Sequence, residues 1–372
     1  GRRGAVVALD VNTGEVLVLA SGPSFDANMF SGQMSAKEWE RLTHDKNKPL
    51  QNRAIGNAYP PGSTSKVLWS VAGLAERKIA PHTVLNCPGY VVLNNRPYRC
   101  HKKAGHGAVD LERAFMVSCN AYYYQLGNML GVGNMTKYLQ IFGFGERTGI
   151  ELPGEEAGTC PSESWKVERF HERWYPGDSV PISIGQGYLV VTPLQMASLM
   201  ATVANGGTRH QPTIVKKAVN TQTGQLIEQP PRKTVVIDPK VIDPKIFEKV
   251  RAAAANVVGS RQGTGWRAKL EGVTIGGKTG TAQVVRLGSD AIKDHAWFVA
   301  FAPVETPMIA LAVLVENVGH GGEFSAPIAR QVLEVYFRNL GMLPETVPAP
   351  EHAAPELVEE DTESTGVEES EQ

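Results

Sequence analysis

The chain has 372 residues, 42% hydrophobic and 20% charged, so it can bury a substantial core and exceeds one average domain. Its 38 glycines and 24 prolines are too dispersed for a collagenous, low-complexity or disordered chain. Lys and Arg number 37 against 38 Asp and Glu, but nine acids and no Lys or Arg fall in 348–372, leaving a body of formal charge +8 that suits an anionic substrate, acidic polymer or membrane surface.

The chain opens at once into Ala5-Val6-Val7-Ala8-Leu9-Asp10 with no leader, as expected of a cytosolic protein or of a fragment whose anchor has been removed. Residues 5–10 and 15–20 are apolar and β-branched, and Asn12-Thr13-Gly14 joins them as a hairpin. After Tyr59-Pro60-Pro61-Gly62, apolar residues at Val67, Leu68, Val71 and Leu74 predict a helix from Ser63 to Ile79, with Ser63 at the cap. Residues 81–109 read as irregular. Helical patterns follow near 110–131, 134–142, from Thr192-Pro193 to Asn205, and at 244–258. Val273–Val285, His295–Ala302 and Met308–Glu316 read as strands, and a helix from Pro327 to Leu340 closes the fold.

Sheet segments at both ends with helices between them predict a mixed α/β architecture, the first two strands pairing with the last three in one antiparallel sheet. No internal repeat is present, and no apolar run approaches the ~20 residues that cross a bilayer. The segment 344–372 is expected to be an acidic, disordered tail. No basic cluster with interleaved aromatics points to nucleic acid.

Three short motifs carry chemistry. Ser63-Thr64-Ser65-Lys66 puts an amine one helical turn after a hydroxyl, at a helix start that favours developing negative charge. A serine needs such a base to become a nucleophile. Alone, the motif is equally a capped helix with an exposed lysine. Ser118-Cys119-Asn120 can place a hydroxyl and an amide on one side of a tight turn, or be a polar loop into the next helix. Lys278-Thr279-Gly280-Thr281 lies in a glycine-rich strand open to close approach, with a cation and two hydroxyls suited to a carboxylate. Together and in order, S-x-x-K, S-x-N and K-T-G are the motif set shared by penicillin-binding proteins and class A β-lactamases.

On these motifs the sequence resembles the transpeptidase domain of class B penicillin-binding proteins, in particular the elongation-type branch. Matching stretches include Tyr59-Pro60-Pro61-Gly62-Ser63, Gly105-His106-Gly107, Gly185-Gln186-Gly187-Tyr188, Thr192-Pro193-Leu194-Gln195-Met196 and Gly277-Lys278-Thr279-Gly280-Thr281-Ala282-Gln283, over about residues 4–340. The resemblance implies a serine β-lactamase/transpeptidase-like α+β fold: a five-stranded antiparallel sheet flanked by helices, with an all-helical subdomain. It places the catalytic domain at 1–343, the sheet in 5–20 and 273–316, and the helical region at about 63–260. The family's membrane helix and pedestal are absent from this chain, which implies an excised domain from the periplasmic face of the bacterial inner membrane.

The implied reaction is D,D-transpeptidation of peptidoglycan in cell elongation. Ser63 attacks the penultimate D-alanine of a stem peptide, the terminal D-alanine leaves, and the amine of a neighbouring stem takes the acyl group. The resemblance makes Lys66 the base, kept neutral by Lys278 nearby. It makes Ser118 the proton relay and Asn120 an orienting amide. Lys278, Thr279, Gly280 and Thr281 form the carboxylate-binding strand, and the backbone N–H groups of Ser63 and Thr281 the oxyanion hole. β-Lactams would acylate Ser63. Implied partners are stem peptides, lipid-linked precursor glycan, a membrane glycosyltransferase and elongation-complex proteins, and no nucleic acid. The chemistry requires no cofactor.

Cys119 inside the second motif is a departure. Cys87, Cys100, His106 and Cys119 make a Cys₃His set suited to structural zinc, and the resemblance supports a metal site in this loop. The twelve-residue gap between Cys87 and Cys100 leaves a disulfide or inert thiols as alternatives. Cys160 reads as an ordinary thiol, Trp297 and Phe298 as core, and His171, Trp174 and Tyr175 as packing under a loop. His320 reads as part of a mobile turn. Rival functions on the same residues are a D,D-carboxypeptidase, a serine β-lactamase without a recognisable deacylating glutamate, and a covalent sensor lacking turnover.

Overall fold

Apolar residues, several of them β-branched, build the first hairpin of this computed structural model, whose described residues are 2–227, 232–283 and 293–344. Strand β1 (Gly4–Asp10) pairs with β2 (Val16–Gly22), and the Asp10 carboxylate turns the chain by accepting from the N–H groups of Asn12 and Thr13. The acidic segment expected to be disordered lies outside the described residues, apart from Pro344.

Helix α1 (Ala36–Thr43) follows, held by a Ser35/Glu38 capping box. The serine-lysine motif opens helix α2 (Lys66–Ala75), which is buried from Lys66 to Leu74. Residues 81–109 are not irregular: they form short strands β3 (Leu85–Cys87), β4 (Tyr90–Leu93), β5 (Arg96–Arg99) and β6 (Gly107–Val109), paired β3–β6 and β4–β5. Helix α3 (Leu111–Met116) leads through the second motif into α4 (Asn120–Ile141), whose kink at Gly131 is the break seen in the sequence pattern. Helices α5 (Glu163–Phe170), α6 (Pro176–Ile182) and α7 (Pro193–Ala204) complete the middle region. Strands β7 (Thr208–His210) and β10 (Thr234–Val236) form one ribbon, with β8 (Ala218–Val219) and β9 (Leu226–Ile227) forming another. Helix α8 (Pro244–Gly259) precedes the late strands β11 (Gly276–Ala282), β12 (His295–Ala302) and β13 (Ile309–Val315), and α9 (Gly321–Asn339) ends the fold.

The five-stranded sheet runs β11-β12-β13-β1-β2, antiparallel throughout, so the early hairpin and the late strands meet in it. Strand β13 is buried at every position because both its faces are covered. Ala310, Ala312 and Leu314 face the core that contains α2 and α7, whereas Ile309, Leu311, Val313 and Val315 pack with Ala326, Ala329, Leu333 and Phe337 of α9. Each fully buried aliphatic side chain contributes about 1.5–3 kcal/mol, so this double burial holds β13 as the central strand of the sheet.

Glu316, just past β13, anchors the run into the serine motif. Its carboxylate accepts from Arg53 Nε at 2.9 Å and Tyr59 OH at 2.8 Å, and pairs with Arg3 Nε at 3.0 Å. One residue on, the Pro60 carbonyl accepts from Trp297 Nε1 at 3.0 Å. These bonds deliver Pro61-Gly62-Ser63 to the edge of β11.

Candidate active site

Ser63 lies inside a single 3₁₀ turn, Gly62–Ser65, rather than capping α2 as its sequence position suggested. Pro61 occupies the cap position without a side-chain bond, so the Ser63 hydroxyl is left uncommitted at a half-buried position. Two glycines permit the approach. Gly62 N–H donates to the Gly185 carbonyl at 2.9 Å, and a Cβ on Gly185, whose φ is +72°, would sit 2.1 Å from Gly62 O. On β11, a Cβ at Gly280 would press within about 3 Å of Pro61 O, Thr64 Cγ2 and Trp297 Cβ. Gly185→Ala therefore costs about 2–5 kcal/mol, combining left-handed strain with a backbone clash. A urea unfolding curve should shift to a lower midpoint at unchanged slope, and an unshifted midpoint would refute the clamp.

Lys66 is wholly buried, and its Nζ donates to Asn120 Oδ1 at 2.7 Å, Ser118 O at 2.8 Å and Ser118 Oγ at 3.2 Å. Among the described residues its hydrogen bonds go to the second motif and none to Ser63 Oγ, a refinement of the one-turn expectation. Burial lowers its pKa to about 7, because an ammonium removed from water loses its hydration. Neutral Lys66 can accept the Ser118 O–H while donating to the two amide oxygens, and charged Lys66 can donate to all three. Its Nζ also lies 5.1 Å from the centre of the Tyr123 ring, whose hydroxyl is 2.7 Å from Ser70 Oγ.

Ser118 is held at φ 56°, an uncommon left-handed conformation for a non-glycine residue. Helix α3 and Cys119 over-determine it: Ser118 N–H donates to Phe115 O, and Cys119 N–H to Ala114 O at 2.8 Å. The strained residue is the one that must face Lys66.

Strand β11 supplies the opposite wall. Thr279, Gly280 and Thr281 line a cleft of about 710 Å³ together with Ser63, Ser118 and Asn120. Lys278 does not line it. Its side chain is fully buried, with Nζ 3.1 Å from Thr279 O and 5.7 Å from the Phe115 ring centre, and within reach of the charge on Lys66. Burial first, and then the like charge of Lys66, holds the Lys278 pKa well below that of a free lysine. For Lys66, burial is the cause, and the expected repulsion is felt at Lys278 instead.

Sequence reasoning missed Thr264, whose hydroxyl accepts from Thr279 Oγ1 at 2.6 Å. Its setting, Gly263-Thr264-Gly265, was the available signal. His320 was read as a mobile turn, yet its Nδ1 is 3.4 Å from Thr281 Oγ1 and it lines the cleft at the start of α9. Trp266, Arg267 and Gln186 also line the cleft. Tyr175, read as packing, is 46% exposed and lines a neighbouring cavity. Trp174, as expected, packs against Tyr188.

Beside the second motif, Cys87, Cys100, His106 and Cys119 bring one ligand atom each within 4.8 Å of one another. His106 Nδ1 lies 3.6 Å from Cys87 Sγ and 3.5 Å from Cys100 Sγ, close to the edge of a tetrahedron with ~2.3 Å metal–sulfur bonds. All four cysteines are free thiols, so the disulfide alternative is not what the geometry builds. Backbone bonds shape the set: Cys100 N–H donates to Gly89 O at 2.8 Å and His106 N–H to Cys87 O at 3.0 Å. A thiol bond from Cys119 favours the thiolate at Cys100, whose pKa is lowered. The donors fit zinc in kind, number and spacing. Cys160 stands apart, half-buried, 3.9 Å from Thr136 O.

Residues 4–334 match the model of the penicillin binding protein transpeptidase domain. The chain is 37% identical over 351 residues to the peptidoglycan D,D-transpeptidase MrdA of Haemophilus influenzae, covering 90% of this chain and 53% of that protein. It thus spans about half the length of the curated relatives it matches. Its fold matches the crystal structure of Pseudomonas aeruginosa PBP2 in complex with WCK 5153, with a TM-score of 0.82 at 36% identity over 91% of this chain and 74% of that one. It also matches Helicobacter pylori PBP2 in its complex with MreC, with a TM-score of 0.80 at 31% identity over 92% of this chain and 61% of that one. No helix among the described residues is long and apolar enough to cross a membrane.

Proposed function

The chain belongs to the penicillin-binding protein transpeptidase domain family, and from that premise we propose that residues 1–343 are a serine D,D-transpeptidase crosslinking peptidoglycan stem peptides during cell elongation. One observation carries the reading: Ser63, the Lys66–Ser118–Asn120 cluster and the Thr279–Thr281 strand converge on a single cleft.

Ser63 Oγ attacks the carbonyl carbon of the penultimate D-alanine while its proton passes to neutral Lys66. The oxyanion is held by the backbone N–H groups of Ser63 and Thr281. Ser118 hands the proton to the departing amine, the peptide C–N bond breaks, and the terminal D-alanine leaves. Thr279 and Thr281, flanking Gly280, hold the substrate carboxylate with Lys278 beside them on the same strand, and Asn120 orients both Lys66 and the substrate amide. The amine of a second stem then attacks the Ser63 ester. Its proton returns through Lys66 and Ser118 to Ser63, leaving a new amide.

Cys87, Cys100, His106 and Cys119 would hold a structural zinc, which supplies crosslinking of the loop and takes no part in acyl transfer. Its effect on the chemistry runs through Cys119, fixed between Ser118 and Asn120. The full-length protein acts at the periplasmic face of the inner membrane, on stem peptides and lipid-linked glycan, beside a glycosyltransferase. Elongation-complex proteins are further partners, on the precedent of the Helicobacter relative and MreC.

Intact mass spectrometry after benzylpenicillin exposure tests the reading. One covalent adduct should form and persist for minutes or longer. Stem peptides supplied with an amine acceptor should give crosslinked dimer. Loss of the adduct within seconds would instead make the protein a β-lactamase, and D-alanine release without dimer would make it a carboxypeptidase.

A further inference from the structure

The catalytic cleft has a second cavity beside it. This cavity, of about 670 Å³, lies between the β4–β5 hairpin and the start of α6, with Tyr188 along one side. On both walls, neighbouring residues pass from one space to the other. Pro97 and Tyr98 line the second cavity, and Arg99 and Cys100 line the cleft. Gln186 lines the cleft, and Gly187 and Tyr188 line the second cavity. The Tyr98 ring packs 5.5 Å from that of Tyr124, itself a cleft residue.

We propose that cleft and cavity form one trough, and that the cavity binds the stem residues upstream of the reacting D-alanine together with the sugar that carries them. This rests on the transpeptidase reading above. With the terminal carboxylate held on β11, the substrate's remaining chain crosses Ser63 toward the Asn120, Tyr124 and Gln186 side, where the cavity opens. The lining chemistry suits a peptidyl-saccharide. The hydroxyls of Tyr98 and Tyr188 have no hydrogen-bond partner among the described residues, and each can both donate and accept, while Tyr175 adds a 46% exposed phenol. Arg96 is exposed and without an ion-pair partner among the described residues, so it can meet a stem carboxylate. Asp178 is already neutralised by Lys166 at 2.7 Å and does not repel an anion. The volume falls within the roughly 300–1,000 Å³ of a ligand site. A β-lactam is small enough to occupy the cleft alone, so the cavity distinguishes strand from antibiotic.

Gly177 offers the way to block it. A Cβ there would point toward the Tyr98 hydroxyl, at 3.4 Å, without a backbone clash. Gly177→Leu, Arg96→Ala and Tyr98→Phe should each be compared on benzylpenicillin, on a short acyl-D-alanyl-D-alanine peptide and on a disaccharide pentapeptide. For Gly177→Leu, kcat/KM on the disaccharide pentapeptide should fall at least tenfold, with the other two substrates within twofold of the parent. Arg96→Ala and Tyr98→Phe should lower the same ratio by threefold or more. If the long substrate falls no further than the short one in the two mild variants, the proposal is overturned, whatever Gly177→Leu does to the fold. If the parent protein takes up no penicillin, it is the transpeptidase reading that fails.

Discussion

Ser63→Ala should take up no benzylpenicillin mass at all, and Lys66→Ala should slow Ser63 acylation by about 10³-fold, within the range for loss of a positioned general base. The argument is one of charge and reach. Burial removes the hydration that would keep the Lys66 ammonium charged and lowers its pKa to about 7, so a large fraction is neutral base near physiological pH. The base form gains population as pH rises through that value, so acylation should climb with pH and level off above it. Lys66→Ala should flatten this rise. Stability has the same sign: between about 7 and the free-lysine value of 10.5, the unfolded chain binds more protons at this position, so folding strengthens as pH increases. Rates come from the time course of adduct mass. A Lys66→Ala protein that acylates within tenfold of the parent, with the same pH profile, would remove Lys66 from the base role.

Removing metal from the Cys87, Cys100, His106 and Cys119 set should give the second large effect. Protein purified without chelator should contain one equivalent of zinc, and its removal should lower the melting temperature by roughly 5 °C, a few kcal/mol in a domain this size. That is well under the ~10–16 kcal/mol measured for zinc-finger peptides, because the surrounding core survives. Acylation should slow as well, since Cys119 N–H and Sγ fix the peptide between Ser118 and Asn120. Cys119→Ser should reproduce both losses, whereas Cys160→Ser should reproduce neither. Metal content below a tenth of an equivalent, with a chelator-insensitive melting curve, would leave the four side chains as a plain thiol cluster.

What the sequence made legible follows the strength of the burial pattern. Strands β12 and β13 were readable because nearly every residue in them is apolar, and helix α7 because Thr192 and Pro193 mark its start and every residue to Ala204 is buried. The β3–β6 segment was not, because its strands span three or four residues and are held by carbonyl bonds and the cysteine set rather than by periodic apolar side chains. Helix α9 begins at Gly321, six residues before the expected Pro327, since two glycines give no hydrophobic signal. In the site, motif residues could be named from order and spacing, but the burial of Lys278 could not. It depends on Phe115 and on strand pairing across distant segments. Thr264 and His320 escaped because each contributes through a single bond to a threonine on another element.

The order of strands in the sheet also bears on how the chain is made. Strand β1, made before the other strands of its sheet, hydrogen-bonds to β13, whose last residue lies more than 300 positions later. Until β13 leaves the ribosome, the hairpin has a bare flank and the apolar helix behind Ser63 has no sheet to cover it. Such long loop closure makes for slow, all-at-once assembly. A nascent chain halted before Val315 should therefore be sticky and easily cleaved by proteases, and should gain resistance to digestion only once its final strand is free.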